Sequence, residues 1–133
     1  MDMRVYAFRL THGADLKESI LDAVKKNGIK AGCIIACVGD LGQATIRMAD
    51  EKKKKVIRER LEIVSMAGTM GNGEVHAHIV VADRNGKCIG GHMKEGCIVE
   101  RTAEIVIGEA DGYSFFRELD EDTGYNELVI RKA

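Results

Sequence analysis

At 133 residues the chain has the length of one domain, long enough to bury roughly two-thirds of its unfolded surface. With 45% hydrophobic residues, 31% charged residues and a formal net charge of −1, it has a globular composition and no global attraction for nucleic acid or anionic lipid. No apolar run approaches the roughly 20 residues of a membrane helix, and the opening Met-Asp-Met-Arg-Val-Tyr lacks the basic and apolar regions of a secretion signal. A cytoplasmic location is expected.

Met3 to Leu10 reads as a strand, mixing Val5, Tyr6 and Phe8 with two arginines. Asp15-Leu16-Lys17-Glu18 then has the form of a helix start. Asp15 can accept from the amide of Glu18 while Glu18 reaches back. Leu16, Ile20, Ala23 and Val24 follow at helical spacing, and Gly28 suits the left-handed position that closes a helix over residues 15–27. Ala31 to Val38 is a continuous apolar run bounded by Gly39-Asp40, expected to be a buried central strand, and Gln43 to Ala49 makes another. Asp50 to Lys55, with four consecutive lysines, reads as a solvated turn. Val56 to Thr69 is expected to form one long or bent strand, and Gly71-Asn72-Gly73 a loop. Strands follow near 75–82, 87–93, 97–107, 113–119 and 126–131. One main helix and seven or eight strands predict a single α+β domain over residues 1–133 with a mostly antiparallel sheet.

The four cysteines show no metal or redox spacing. Cys33 and Cys37 would lie on one face of a strand about 13 Å apart, at ~3.3 Å per residue, too far for a disulfide. Buried reduced thiols are expected at all four positions.

His76, His78 and His92 carry the chemistry. His76 and His78 project from one face of a strand because side chains alternate. Whether His92 joins them depends on the turn at Asp83-Arg84-Asn85-Gly86-Lys87. A two-residue Asn85-Gly86 turn would set His92 opposite Ile79 and send its ring to the other face. A three-residue loop, with Gly86 left-handed and Asp83 paired to Lys87, sets His92 opposite His78. The second register keeps Val75, Ala77, Ile79, Val81 and Met93 on the core face and is the one expected.

Three neutral imidazoles suit zinc and leave a fourth position open for water or a small ligand. Copper, nickel and iron share that ligand preference. A chemical step would also need a proton carrier or charge clamp. Glu74, Glu95, Glu104, Arg9 and Arg101 are nominees that spacing alone does not place, and no catalytic residue is assigned. His12, in a Thr-His-Gly loop, reads as a surface residue.

Several motifs in order resemble the PPC (plants and prokaryotes conserved) domain over residues 3–108. They are Arg9-Leu10-x-x-Gly13-x-Asp15-Leu16, Val38-Gly39-Asp40-Leu41-x-x-Ala44, Leu61-Glu62-Ile63-Val64-Ser65-Met66-x-Gly68 and His76-x-His78. Asp83-x-x-Gly86-x-x-x-Gly90-Gly91-His92 and Gly96-Cys97-x-Val99-x-x-Thr102-x-Glu104 complete the set. The chain departs at Asp40, where Ser is usual. The resemblance implies an α+β fold that assembles as a homotrimer, with His76, His78 and His92 resembling the metal site of the prokaryotic branch. It also carries a DNA-binding label from plant members that bear AT-hooks. Such a hook needs an Arg-Gly-Arg-Pro core, and this chain has no proline. The fold also looks like that of acetolactate decarboxylase, a zinc lyase with a similar His-x-His. By that analogy the alternative is a small zinc-dependent lyase or hydrolase acting on a small-molecule substrate.

Overall fold

The computed structural model describes residues 2–132. Among them the chain forms one helix and nine strands. β1 (Met3–Thr11) leads to α1 (Leu16–Lys26), followed by β2 (Gly32–Arg47), β3 (Lys54–Ile57), β4 (Leu61–Gly71), β5 (Glu74–Ala82), β6 (Cys88–Met93) and β7 (Ile98–Ala110). β8 (Tyr113–Leu119) and β9 (Asn126–Lys132) close the chain as a separate two-stranded ribbon. The main sheet runs β1-β7-β2-β4-β5-β6, antiparallel throughout, with β3 on β2. The α+β architecture is as expected.

The helix follows from its caps. Asp15 accepts from the Glu18 amide at 3.1 Å, but Glu18 does not complete the reciprocal half of the box. The other Asp15 carboxylate oxygen accepts instead from the Gly96 amide at 2.8 Å, tying the helix start to the turn before β7. At the far end Gly28 takes φ +60, and the Ile29 amide donates to the Val24 carbonyl at 3.0 Å. Leu16, Ile20 and Val24 lie on the buried face, each at most 1% exposed, against Ile79, Val81, Ile105 and Ile107 of the core.

β2 corrects the expectation of two strands meeting at Gly39-Asp40. It is one 16-residue strand with irregular register near residues 35, 40 and 42. Gly39 takes φ +151, and a Cβ there would stand 2.1 Å from the Thr102 carbonyl oxygen, so only glycine permits the approach. Asp40 then accepts from the amides of Arg101 (2.9 Å) and Thr102 (3.3 Å) and pairs with Arg60 and Arg101. These bulges bend the strand. Its first half lies between β7 and β4, while Ile46 and Arg47 pair with Met93 and His92 of β6. β2, β4, β5 and β6 therefore close into a ring.

The stretch expected as one strand over 56–69 is two, β3 and β4, broken at Arg58–Arg60. The expectation of four buried thiols also needs correction. Cys37 and Cys97 are buried, Cys33 is partly buried, and Cys88 is exposed at the start of β6. All four are free.

Candidate metal centre

The β5–β6 connection is the three-residue loop. The Gly86 amide donates to the Asp83 carbonyl at 2.9 Å, Gly86 has φ +79, and the Asp83 amide donates to the Lys87 carbonyl at 2.9 Å. The Asp83 side chain accepts from the amides of Asn85 and Lys87 at 2.9 and 3.0 Å, fixing the loop from within. His78 consequently pairs with His92. Gly91 makes the next contact possible, since a Cβ there would lie 2.5 Å from the Arg47 carbonyl oxygen where β6 meets β2.

The three rings converge. Their centroids are 5.1 Å apart for His76 with both His78 and His92, and 5.8 Å for His78 with His92. One nitrogen from each lies within 4.8 Å of the other two. Tetrahedral zinc, at ~2.0–2.1 Å from each nitrogen, sets ligand atoms roughly 3.3–3.4 Å apart, so modest side-chain rotations close the set.

Two further observations test the fit of a divalent ion. His92 Nδ1 is buried with no hydrogen-bond partner, and an orphaned nitrogen of this kind is relieved by coordination or by a ligand proton. Burial first, then Arg47, lowers the His92 pKa to about 4. Burial and Arg117 lower that of His76. Both rings are thus held neutral at neutral pH, the form that binds metal. The donor set suits a borderline cation such as zinc.

Beside the rings opens a cleft of about 330 Å³, lined by His76, His92, Arg47, Arg117, Glu74 and Glu127 among others. Of the nominated partners only Glu74 lies here. Glu95 pairs with Lys17 at 3.3 Å, Arg101 with Asp40, and Arg9 faces Glu104 across β1–β7 while donating to Thr102. His12 donates to the Glu100 carbonyl at 2.6 Å. Arg47 and Arg117 were not foreseen. The first arrives through the β2–β6 pairing and the second through the ribbon, contacts that local sequence patterns do not signal.

The fold and this cluster define a class: a small antiparallel domain with three histidines gathered on one face of its sheet. The chain belongs to the Plants and Prokaryotes Conserved domain family (PCC, also written PPC), whose profile matches residues 1–111. It is 42% identical over 131 residues, 98% of its length, to the bifunctional protein GlmU of Synechococcus sp. (strain JA-3-3Ab). It spans about a fifth (21%) of that curated relative. Among solved structures it resembles a hypothetical protein from Salmonella cholerae-suis, with 34% identity, a TM-score of 0.95 and coverage of 98% of this chain and 95% of that one. A metal-containing protein from Archaeoglobus fulgidus is similar at 28% identity and TM-score 0.81, covering 95% and 93%. A candidate DNA-binding protein from Bacteroides thetaiotaomicron is similar at 25% identity and TM-score 0.80, covering 94% and 91%. Among the described residues no helix is long and apolar enough to cross a membrane.

Proposed function

We propose that this PPC domain binds one divalent cation, zinc, through His76, His78 and His92, and works as a homotrimer. The convergence of three ligand nitrogens within 4.8 Å is the observation that carries the reading. The likeness to the metal-containing Archaeoglobus fulgidus protein supports it. A bound zinc supplies a Lewis acid at its open coordination position. Self-association is supported by the apolar outer face of the sheet. Met3, Val5, Ile35, Val38 and Val64 are each more than half exposed there, and Met3 and Ile35 close over Gly108.

Metal analysis of protein purified without chelators tests the site. One zinc per chain is expected, lost in His78→Ala and in His92→Ala. Protein that folds but takes up no stoichiometric zinc would overturn the reading. The cleft beside the rings favours a zinc-dependent lyase or hydrolase as the activity built on this site. DNA association is a second reading, favoured by the likeness to the Bacteroides protein and by the exposed basic run Lys52–Lys55, Arg58 and Arg60. It predicts affinity that falls steeply with added salt, and absence of gel retardation at low salt would dismiss it.

A further inference from the structure

The two arginines of the histidine cleft come from strands paired near the rings and form no salt bridge among the described residues. Arg47 is the cross-strand partner of His92. Arg117 donates to the Thr69 hydroxyl at 3.4 Å, and Thr69 is the cross-strand partner of His76. The Arg47 backbone therefore lies one strand spacing, ~4.8 Å, from that of His92, and the Arg117 guanidinium is held at the strand position beside His76. Among the described residues the salt bridges engage Lys17, Arg60, Arg101 and Arg131, and neither Arg47 nor Arg117 has a carboxylate partner.

Arg47 and Arg117 are half-buried, whereas Glu51 and Glu74 on the same cleft are exposed. Glu127, also on the cleft, is half-buried and forms no salt bridge with either arginine. Two forked donors without carboxylate partners, lining one cleft beside the histidines, match an oxyanion.

We propose that this cleft binds a small oxyanion, a carboxylate or phosphate, clamped by Arg47 and Arg117 with its other end toward the open position of the metal. The proposal rests on the metal reading above and assigns it a ligand class. About 330 Å³ is at the small end of ligand pockets, which suits a ligand of a few carbons.

Calorimetric titration of zinc-loaded protein with succinate and with inorganic phosphate tests it, zinc content being measured on the same samples. Saturable binding of at least one probe is expected, and saturation by only one names the source of the oxyanion. Arg47→Gln and Arg117→Gln should each weaken binding by roughly tenfold or more while zinc content stays the same. Arg117→Lys, which keeps the charge but not the fork, should fall between, and its folding guards against a merely structural loss. Arg84→Gln, at the exposed β5–β6 turn, should leave affinity unchanged. Zinc-loaded protein that binds neither probe, or an equal loss in Arg84→Gln, would overturn the clamp alone. Arginine-dependent anion binding in protein that takes up no zinc would overturn the metal reading and leave the clamp standing.

Discussion

His92 Nδ1 is buried beside two other imidazoles with no hydrogen-bond partner, a condition that costs about 1–3 kcal/mol in a protein interior. The thiols show the same dependence on position. Burial pushes the Cys37 thiol up to about 11 and raises that of Cys97, whereas Cys88 is exposed. At pH 8 a thiol reagent should therefore modify Cys88 rapidly and reach Cys37 and Cys97 only on unfolding. Equal labelling of all three in the folded protein would contradict the packing. Between about pH 9, where an unfolded thiol ionises, and about pH 11, the native state holds the Cys37 proton that the unfolded chain has released. Stability should then fall as pH rises through that window, and a Cys37→Ala variant should lose this part of the dependence in urea titrations. The histidines were legible from the sequence because the chemistry of Asp83 and Gly86 fixes their register within a dozen residues. Arg47 and Arg117 were not, since each reaches the cleft through pairing of distant segments.

β2 is the element that positions the site, because its bend lets one strand border β7 and β4 at one end and β6 at the other. The Asp40 carboxylate, 5% exposed, holds that bend through the amides of Arg101 and Thr102. Asp40→Ala should cost about 2–4 kcal/mol, and Asp40→Asn, which keeps an acceptor for both amides, distinctly less. Urea unfolding of the two variants checks the order, and equal losses would show that the amide contacts do not matter. The sequence offers Gly39-Asp40 as a strand end because glycine and aspartate usually punctuate strands. Here the same pair makes a bulge inside one, a distinction that depends on the close approach of the Thr102 carbonyl. α1 and the β5–β6 hairpin were legible because their caps and turn lie within each segment.

Across the whole molecule the site and the apolar surface share one face of the sheet. Val5, Gly108, Cys33, Thr69 and His76 are successive cross-strand partners over β1, β7, β2, β4 and β5, so they form one row on that face. Self-association through this face would bring neighbouring chains close to the histidine cluster. Val38→Glu, at a position 58% exposed, should convert a three-chain particle into single 14.6 kDa chains in sedimentation. A wild-type protein that sediments as a monomer would remove the trimer. The general fold was legible from strand alternation, but the closure of β2 onto β6 was not, since it pairs Arg47 with a residue 45 positions later. The central claim is the three-histidine coordination itself. X-ray absorption at the zinc edge of the loaded protein should show three imidazole nitrogens at ~2.0–2.1 Å and one further light ligand. Sulfur scattering at ~2.3 Å, or a shell of oxygens without imidazole, would contradict it.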